Sequence, residues 1–227
     1  GVTVTGSGRP DAQGDALSDQ VGVARVADLA HVSRETAAPL TDYAALLRKW
    51  QHSINLVGRS TLPVLWDRHM LDSAQLAPLI AAEQPRQPAI LDVGSGAGFP
   101  GLVLSILNAG SVHLVESDRR KASFLRQVCF QTGADAAIHA DRVEALSPFP
   151  VDIITARAFA PLPRLVDLVS GFLHDNTVLW LLKGEEAERE LTELAECWTV
   201  DVTRRTSRSD PRGVLLRLAR LARRPAA

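Results

Sequence analysis

Between Ala89 and Leu182 the chain alternates short apolar runs with amphipathic stretches, and this alternation narrows the architecture more than any other feature. The runs are AILDV (89–93), SVHLVE (111–116), AAIHA (136–140), VDIITA (151–156) and TVLWLL (177–182). Each has the length of a strand, and strands separated by helical segments need crossover connections, so the pattern predicts a parallel α/β sheet. The clearest helix is expected from about Arg119 to Gln131, with Ala122, Leu125, Val128 and Cys129 on its apolar face and Gly133 as its stop. After the fifth run comes a glutamate-rich helix. Two strand-like stretches around DPRG (210–213) then predict a C-terminal antiparallel hairpin.

Upstream of the sheet the sequence changes character. Residues 1–22 are rich in Gly, Ser, Asp and Ala without periodicity, which predicts a disordered tail. Residues 23–227 are expected to form one domain, with 23–82 as an N-terminal helical extension. Its first strong helix is expected to be capped by Thr41, to carry Leu46, Leu47, Trp50 and Ile54 on one stripe, and to end by Gly58. A second is expected from Leu62 to about Ile80, burying Leu65, Trp66, Met70 and Ala74.

Composition excludes several classes. No apolar run approaches the eighteen or so residues of a membrane span, and the first twenty residues do not resemble a secretory signal, so a cytoplasmic protein without a membrane partner is expected. Cys129 and Cys197 stand outside any CxxC or Cys/His pattern, and no metal is expected. The net charge of −1 hides a segregation: Asp201–Ala227 holds eight arginines against two aspartates. Such a stretch suits contact with phosphate or forms a solvated face, and both readings stand.

The chemistry is carried by LDVGSGAGFPG (91–101), between a predicted strand and a predicted helix. Glycine there lets backbone approach a ligand closely, and Pro100 suits a helix start. A dinucleotide fingerprint wants glycine five positions after the first, where this chain has Phe99; the third glycine falls at Gly98 instead. The pattern resembles the first motif of S-adenosylmethionine methyltransferases. Glu116, at the end of the second strand, is placed to accept hydrogen bonds from ribose hydroxyls beside the Gly94–Gly96 turn.

Several segments together resemble the glucose-inhibited division protein B family, the guanine-N7 methyltransferases of bacterial small-subunit ribosomal RNA. The carriers are NLVGRS (55–60), LWDRHMLDS (65–73), the glycine motif extended to Ile106, ESDRRKASFLRQV (116–128), DRVEAL (141–146), ARAFAPL (156–162) and LLKG (181–184). The resemblance, over roughly residues 40–218, implies a Rossmann-like class I methyltransferase sheet and S-adenosylmethionine as cofactor. It implies as substrate a guanine in the decoding-region loop of 16S rRNA. It also implies that Gly94 and Phe99 belong to the cofactor turn, that Val143 and Glu144 flank the adenine, and that Arg157 lies near the methionine end.

Read from spacing alone, Arg68, His69, Asp72 and Ser73 fall on one side of a helix, as an ion pair with a core histidine or as site residues. Arg142, Arg157 and Lys183 follow the third, fourth and fifth strands, so three cations are expected to converge on one sheet edge. Asn55, Arg68, His69, Arg142, Lys183 and Arg212 are the candidates for RNA contact, and a monomer is expected. Phe159 suits either base stacking or the core. Ala156-Arg157-Ala158-Phe159 lacks the Pro-Pro turn typical of enzymes that methylate exocyclic amines of bases, and neither cysteine sits at a strand end where pyrimidine C5 chemistry needs it. Direct displacement without a general base remains, with Arg157 in a positioning role. A small-molecule methyl- or aminopropyl-transferase and a non-catalytic RNA-binding assembly factor are the rival readings.

Overall fold

Strands form where the apolar runs predict them: β1 Ala89–Val93, β2 Ser111–Val115, β3 Ala137–His139, β4 Ile153–Arg157 and β5 Val178–Lys183. The computed structural model describes residues 12–84 and 86–227. The expected hairpin is β6 Trp198–Thr206 with β7 Val214–Arg223, and the sheet order is β3-β2-β1-β4-β5-β7-β6. β7 runs antiparallel to β5 and β6, while the first five strands are mutually parallel. The chain steps outward from β1 to β3, then returns to lay β4 on the other side of β1. Loops leaving β1 and β4 therefore diverge and open a crevice at the carboxyl edge.

Helices cover both faces: α6 Gly101–Ile106 and α7 Arg119–Thr132 on one, α8 Leu162–Val169 and α9 Ala187–Cys197 on the other. The pleat sorts the strand residues with period two. Ile90, Leu114, Ile153 and Trp180 join the core under α6 and α7, whereas Leu91, Val115, Ile154 and Leu181 join the core under α8 and α9. Burial on both faces is why the strands read as continuous apolar runs rather than as alternation. α7 begins where the Asp118 carboxylate accepts from the N–H groups of Arg120 and Lys121, and it ends at Gly133 in the left-handed conformation.

The N-terminal region departs from expectation in three ways. Residues 12–22, expected to be disordered, form the first part of α1, Ala12–Ala30; residues 1–11 of the expected tail lie outside the described residues. α1 has a helical period at Asp19, Gly22, Val26 and Ala30, all buried, but its first two members are residues that hydropathy does not count. Asp19 takes two hydrogen bonds from the Arg48 guanidinium at 2.8 and 3.0 Å and one from Trp66 Nε1 at 2.9 Å. This polar clamp substitutes for an apolar stripe. After the short α2, Arg34–Ala37, helix α3 spans Leu40–Gln51, so Thr41 lies inside it rather than at its cap.

The third departure lies in the helix expected from Leu62 to Ile80. It is a 3-10 segment, Arg59–Val64, a π-helical turn, Trp66–Leu71, and two α pieces, α4 Asp72–Ala74 and α5 Leu76–Glu83. Pro63, lacking an N–H, sits in the tight first segment. Leu65, Trp66, Met70 and Ala74 are buried as expected.

Asp19→Ala strands the Trp66 N–H and leaves the Arg48 guanidinium only Asp15, 3.6 Å away, in a largely buried place. We expect a loss of about 2–3 kcal/mol in unfolding free energy, read as a lower urea midpoint at unchanged m. An unchanged midpoint would separate α1 from the cooperative core.

Candidate active site

The crevice between the β1 and β4 loops is floored by the glycine turn. Gly94 and Gly96 have positive φ, +63° and +56°, where a side chain is strained. At Gly94 a Cβ would stand 2.1 Å from the Phe159 ring, so this glycine is required by a packed aromatic. At Gly96 a Cβ would meet only the Gly94 carbonyl at 3.8 Å, so the backbone there faces open space. The turn is held from three sides. Tyr43, fully buried on α3, donates its hydroxyl to the Ala97 carbonyl, and burial pushes its pKa well above the usual value, keeping it a donor. Glu116, just beyond β2, accepts from Gly96 N–H at 2.8 Å and from Asp118 N–H at 2.7 Å.

The third support is Asp92, fully buried in β1. Its two carboxylate oxygens accept from Thr155 Oγ1 and Ser95 Oγ, each at 2.6 Å, joining β1 to β4 and to the turn. Desolvation raises its pKa to about 6, although the Ser95 and Thr155 hydrogen bonds, the Gly101 N–H and Arg157 act in the other direction.

A cavity of about 440 Å³ opens above this floor. Gly94, Gly96, Phe99, Glu116, Val143 and Glu144 all line it, so the fold brings these six expected residues together. Arg142 and Arg157 complete the polar side of its wall. The Phe99 ring is itself buried, stacked between Tyr43 and His69 with centroids 5.2 and 5.0 Å away and the Arg157 guanidinium 5.1 Å above it. Its role is therefore to carry the turn against α3 and the π-helical segment.

A second cavity of about 370 Å³ adjoins the first, and the two share Arg157 and Ala158. Ala158 holds φ +50°, a strained conformation for a residue with a Cβ, at the boundary between them. Arg157 donates to Arg68 O at 3.0 Å, to Asp72 Oδ2 at 3.2 Å and to His69 Nδ1 at 2.9 Å. Because arginine has no acceptor, His69 Nδ1 is the bare nitrogen and the proton sits on Nε2, donated to Thr61 Oγ1 at 2.8 Å. Thr61 in turn donates to Gly58 O. Burial first, then the charges of Arg157 and Arg68, lower the His69 pKa to about 3, so the ring is neutral at physiological pH.

Other expected site residues divide differently. Lys183 lines the second cavity with Arg157, but its side chain is only 7% exposed and its ammonium is bonded to Glu190 at 2.9 Å and to Ala160 O at 3.0 Å. A buried ammonium needs such partners, so its charge is neutralised within the protein. Arg68 and Asp72 do not pair with each other; Arg68 lies 3.6 Å from Asp210, and Asp72 accepts from Arg157 and from Ser209. The π-helical turn shifts these side chains out of the four-residue spacing. Ser73 donates to His69 O. Asn55 is exposed outside both cavities, though its neighbour Leu56 lines the first, and Arg212 is exposed beside Glu185 at 3.8 Å. Phe159 is half-buried, packed on the core and on Gly94.

Sequence reading gave no role to Asp92, Tyr43, Thr61 or Lys121. Tyr43 is one turn before Leu47 on the α3 stripe, a signal for burial but not for a hydrogen bond to a turn 54 residues away. Thr61 is placed by the 3-10 segment, which periodicity does not reveal.

Asp92 supports a pH prediction. Its folded pKa lies above the ordinary carboxylate value, so its contribution to stability is fully present below about pH 4 and is lost as pH rises through about 6. Asp92→Asn is expected to gain stability relative to the parent between pH 4 and pH 6 and to run parallel to it above, in urea titrations at each pH. A difference independent of pH would assign Asp92 an unshifted pKa.

Residues 36–210 match the family of rRNA small subunit methyltransferase G. The chain is 50% identical over 192 residues to Ribosomal RNA small subunit methyltransferase G of Rhodospirillum rubrum, covering 85% of this chain and 94% of that protein. It is 51% identical over 193 residues to the protein of the same name from Rhodospirillum centenum, covering 85% and 88%. Among solved structures, magnesium protoporphyrin IX methyltransferase of Synechocystis PCC 6803, with bound SAM, superposes with a TM-score of 0.55 at 11% identity, over 78% of this chain and 97% of that one. That likeness concerns the fold, which is a class I methyltransferase sheet. By sequence over most of its length, the chain belongs to the rRNA small subunit methyltransferase G family.

Proposed function

We propose that this protein transfers a methyl group from S-adenosylmethionine to N7 of a guanine in the decoding-region loop of 16S rRNA. Family membership supports the ribosomal RNA substrate over a small metabolite and over a non-catalytic factor. The observation that carries the mechanism is the Arg157–His69–Thr61 chain between the two cavities. No helix among the described residues is long and apolar enough to cross a membrane, and no His, Cys, Asp and Glu cluster there is arranged to hold a metal.

The first cavity suits the cofactor. Its open backbone at Gly96, the Glu116 carboxylate beside it and the Val143–Glu144 wall match a nucleoside with ribose hydroxyls. S-adenosylmethionine, when bound, supplies the methyl group as a sulfonium. Glu116 orients two loop N–H groups and retains lone pairs for hydroxyl donors. Val143 and Glu144 form a wall on which a flat base rests.

The second cavity suits the target base, because in-line transfer requires donor and acceptor sites to adjoin. Guanine N7 offers an in-plane lone pair and carries no proton, so no residue needs to act as a base. His69 is in no position to be one: Nδ1 is occupied by an Arg157 N–H and Nε2 carries the proton. The product ring gains positive charge, and the carboxylates of Asp67, Asp72, Glu186 and Asp210 on the second cavity favour it. Arg157 positions the wall between the sites through its bonds to Arg68 O, Asp72 and His69.

Two tests follow. Glu116→Ala removes the acceptors for ribose and the anchor of Gly96, so calorimetry is expected to show cofactor affinity about 10- to 100-fold weaker with the fold retained; equal affinity would move the cofactor away from this cavity. Arg157→Ala is expected to slow single-turnover transfer to unmethylated small subunits about 100-fold. His69→Ala should introduce and remove no ionisation between pH 5.5 and 8, because the parent imidazole titrates near 3. RNA with 7-deazaguanine at the target should accept no label. Label on that RNA, or an ionisation that vanishes with His69, would overturn N7 as the acceptor or the base-free step respectively.

A further inference from the structure

The charge excess of the C-terminal hairpin is largely cancelled within the fold. Arg204 pairs with Glu188, Arg212 with Glu185, Arg217 with Glu83, Arg220 with Asp201 and Arg223 with Asp167. Arg205, Arg208 and Arg224 of the hairpin enter no ion pair among the described residues, and a second group of unpaired cations lies on the outer face of α7. That helix reads RRKASFLRQVCFQT, with four cations and no acid. Arg119, Lys121 and Arg126 enter no ion pair among the described residues.

Three of the cations, Arg119, Arg120 and Lys121, occupy the first turn of the helix, where the macrodipole is positive and a cation is unfavourable by about 0.3–1 kcal/mol. Asp118 at the cap offsets part of this. The last turn, where a cation would be favourable, has none. Helix stability alone therefore does not account for the placement.

The helical period adds a second feature. Arg119, Ser123, Arg126 and Phe130 fall at intervals of four, three and four, on one exposed stripe about 16 Å long. Phe130 is 82% exposed, the most exposed large hydrophobic side chain among the described residues. Beside the stripe, a cleft of about 420 Å³ is lined by Lys49, Trp50, Ile54, Arg120 and Ser123. Trp50 rests its edge on Phe124, and Arg120 donates to Ser53 O at 2.6 Å, fixing the cleft between α3 and α7. Lys121, in the first turn of the same helix, lines the first cavity.

We infer that the outer face of α7, with Arg119, Arg126 and Phe130 and the adjoining Trp50–Arg120 cleft, is a docking surface for a single-stranded segment of the substrate RNA flanking the target guanine. The cations neutralise phosphates, and Phe130 and Trp50 offer faces on which unpaired bases stack. A loop substrate presents such unstacked bases, and the surface takes them in sequence-tolerant fashion. This rests on the ribosomal RNA reading above.

The test measures binding of the full chain to unmethylated small subunits, and to their deproteinised 16S rRNA, over a series of salt concentrations. Arg119→Ser with Arg126→Ser is expected to reduce the slope of log affinity against log salt by about 1 to 1.5. Phe130→Ser is expected to weaken binding about ten-fold without changing the slope, since stacking releases no counterion. All these side chains are exposed, so cofactor affinity and thermal midpoint should stay at the parent values. Arg220→Ala, which removes a cation already paired with Asp201, should leave slope and affinity unchanged. Parent-like slope in the double arginine variant, together with parent-like affinity in Phe130→Ser, overturns the inference. So does a loss seen on intact subunits but absent on deproteinised RNA, which assigns the surface to a ribosomal protein. Methyl transfer by the unaltered chain is scored in parallel: failure of the transfer itself rejects the functional reading, whereas transfer with unchanged binding in the variants rejects only the docking surface.

Discussion

A carboxyl group with no exposure to solvent sits where the sheet reverses its direction of growth, and the site is assembled around it. Asp92 is the fourth residue of β1, next to the point where the chain leaves the sheet, and β4 lies alongside. Its oxygens are satisfied by Thr155 on β4 and by Ser95 in the turn. Any displacement of the turn relative to β4 would leave a buried oxygen without a donor, a penalty of about 1–3 kcal/mol. The same contact fixes how far apart the β1 and β4 loops stand, and hence the width of the crevice. Gly101 closes from below, where a Cβ would come within 2.5 Å of the Asp92 side chain.

From that anchor two supports extend in opposite directions. Toward β2, Glu116 holds the N–H groups of Gly96 and Asp118, so one carboxylate sets both the open part of the turn and the start of α7. Toward the N-terminal helices, Tyr43, Phe99 and His69 form a stack, with the Arg157 guanidinium over its central Phe99 ring. The N-terminal extension is therefore part of the site's frame: α3 supplies the tyrosine, and the segment after it supplies His69, Asp72 and the carbonyl of Arg68. Hairpin residues reach the same place, since Ser209 donates to Asp72 and Gln75 accepts from Arg208 N–H. Elements far apart in the chain meet on one guanidinium.

How much of this is legible in the sequence depends on whether the signal is local. The five parallel strands and α7 are legible because apolar runs, an aspartate cap and a stop glycine are short-range features. The lining of the first cavity is legible for a related reason: its residues follow strand ends, and strand ends of a parallel sheet share one edge. α1 is not, because its buried face begins with Asp19 and Gly22, and only a partner on α3 makes burial of an aspartate favourable. The π-helical turn is not, since a sequence stripe of three-to-four spacing predicts an uninterrupted helix. Counting charge along the chain also misleads at the hairpin, because pairing acids arrive from α5, α8 and α9. The ion pair of Lys183 is illegible for the same reason, with Glu190 one turn into α9.

The two titratable groups nearest the anchor bind protons with opposite consequences for the fold. Asp92 has a raised folded pKa, so ionising it between about pH 4 and 6 works against the folded state. His69 has a folded pKa lowered to about 3, so its contribution is present above its ordinary pKa near 6.5 and is lost as pH falls toward 3. Raising the pH across this window removes stability through the first group and restores it through the second. The effects oppose, and stability near the site varies less with pH than either group alone dictates. The electrostatics change even so. Below about pH 6 both groups are neutral and Arg157 faces one carboxylate, Asp72; above it Asp92 is also charged, and the guanidinium lies in the field of two. The guanidinium shared between the cavities is thus flanked by more negative charge above about pH 6 than below it.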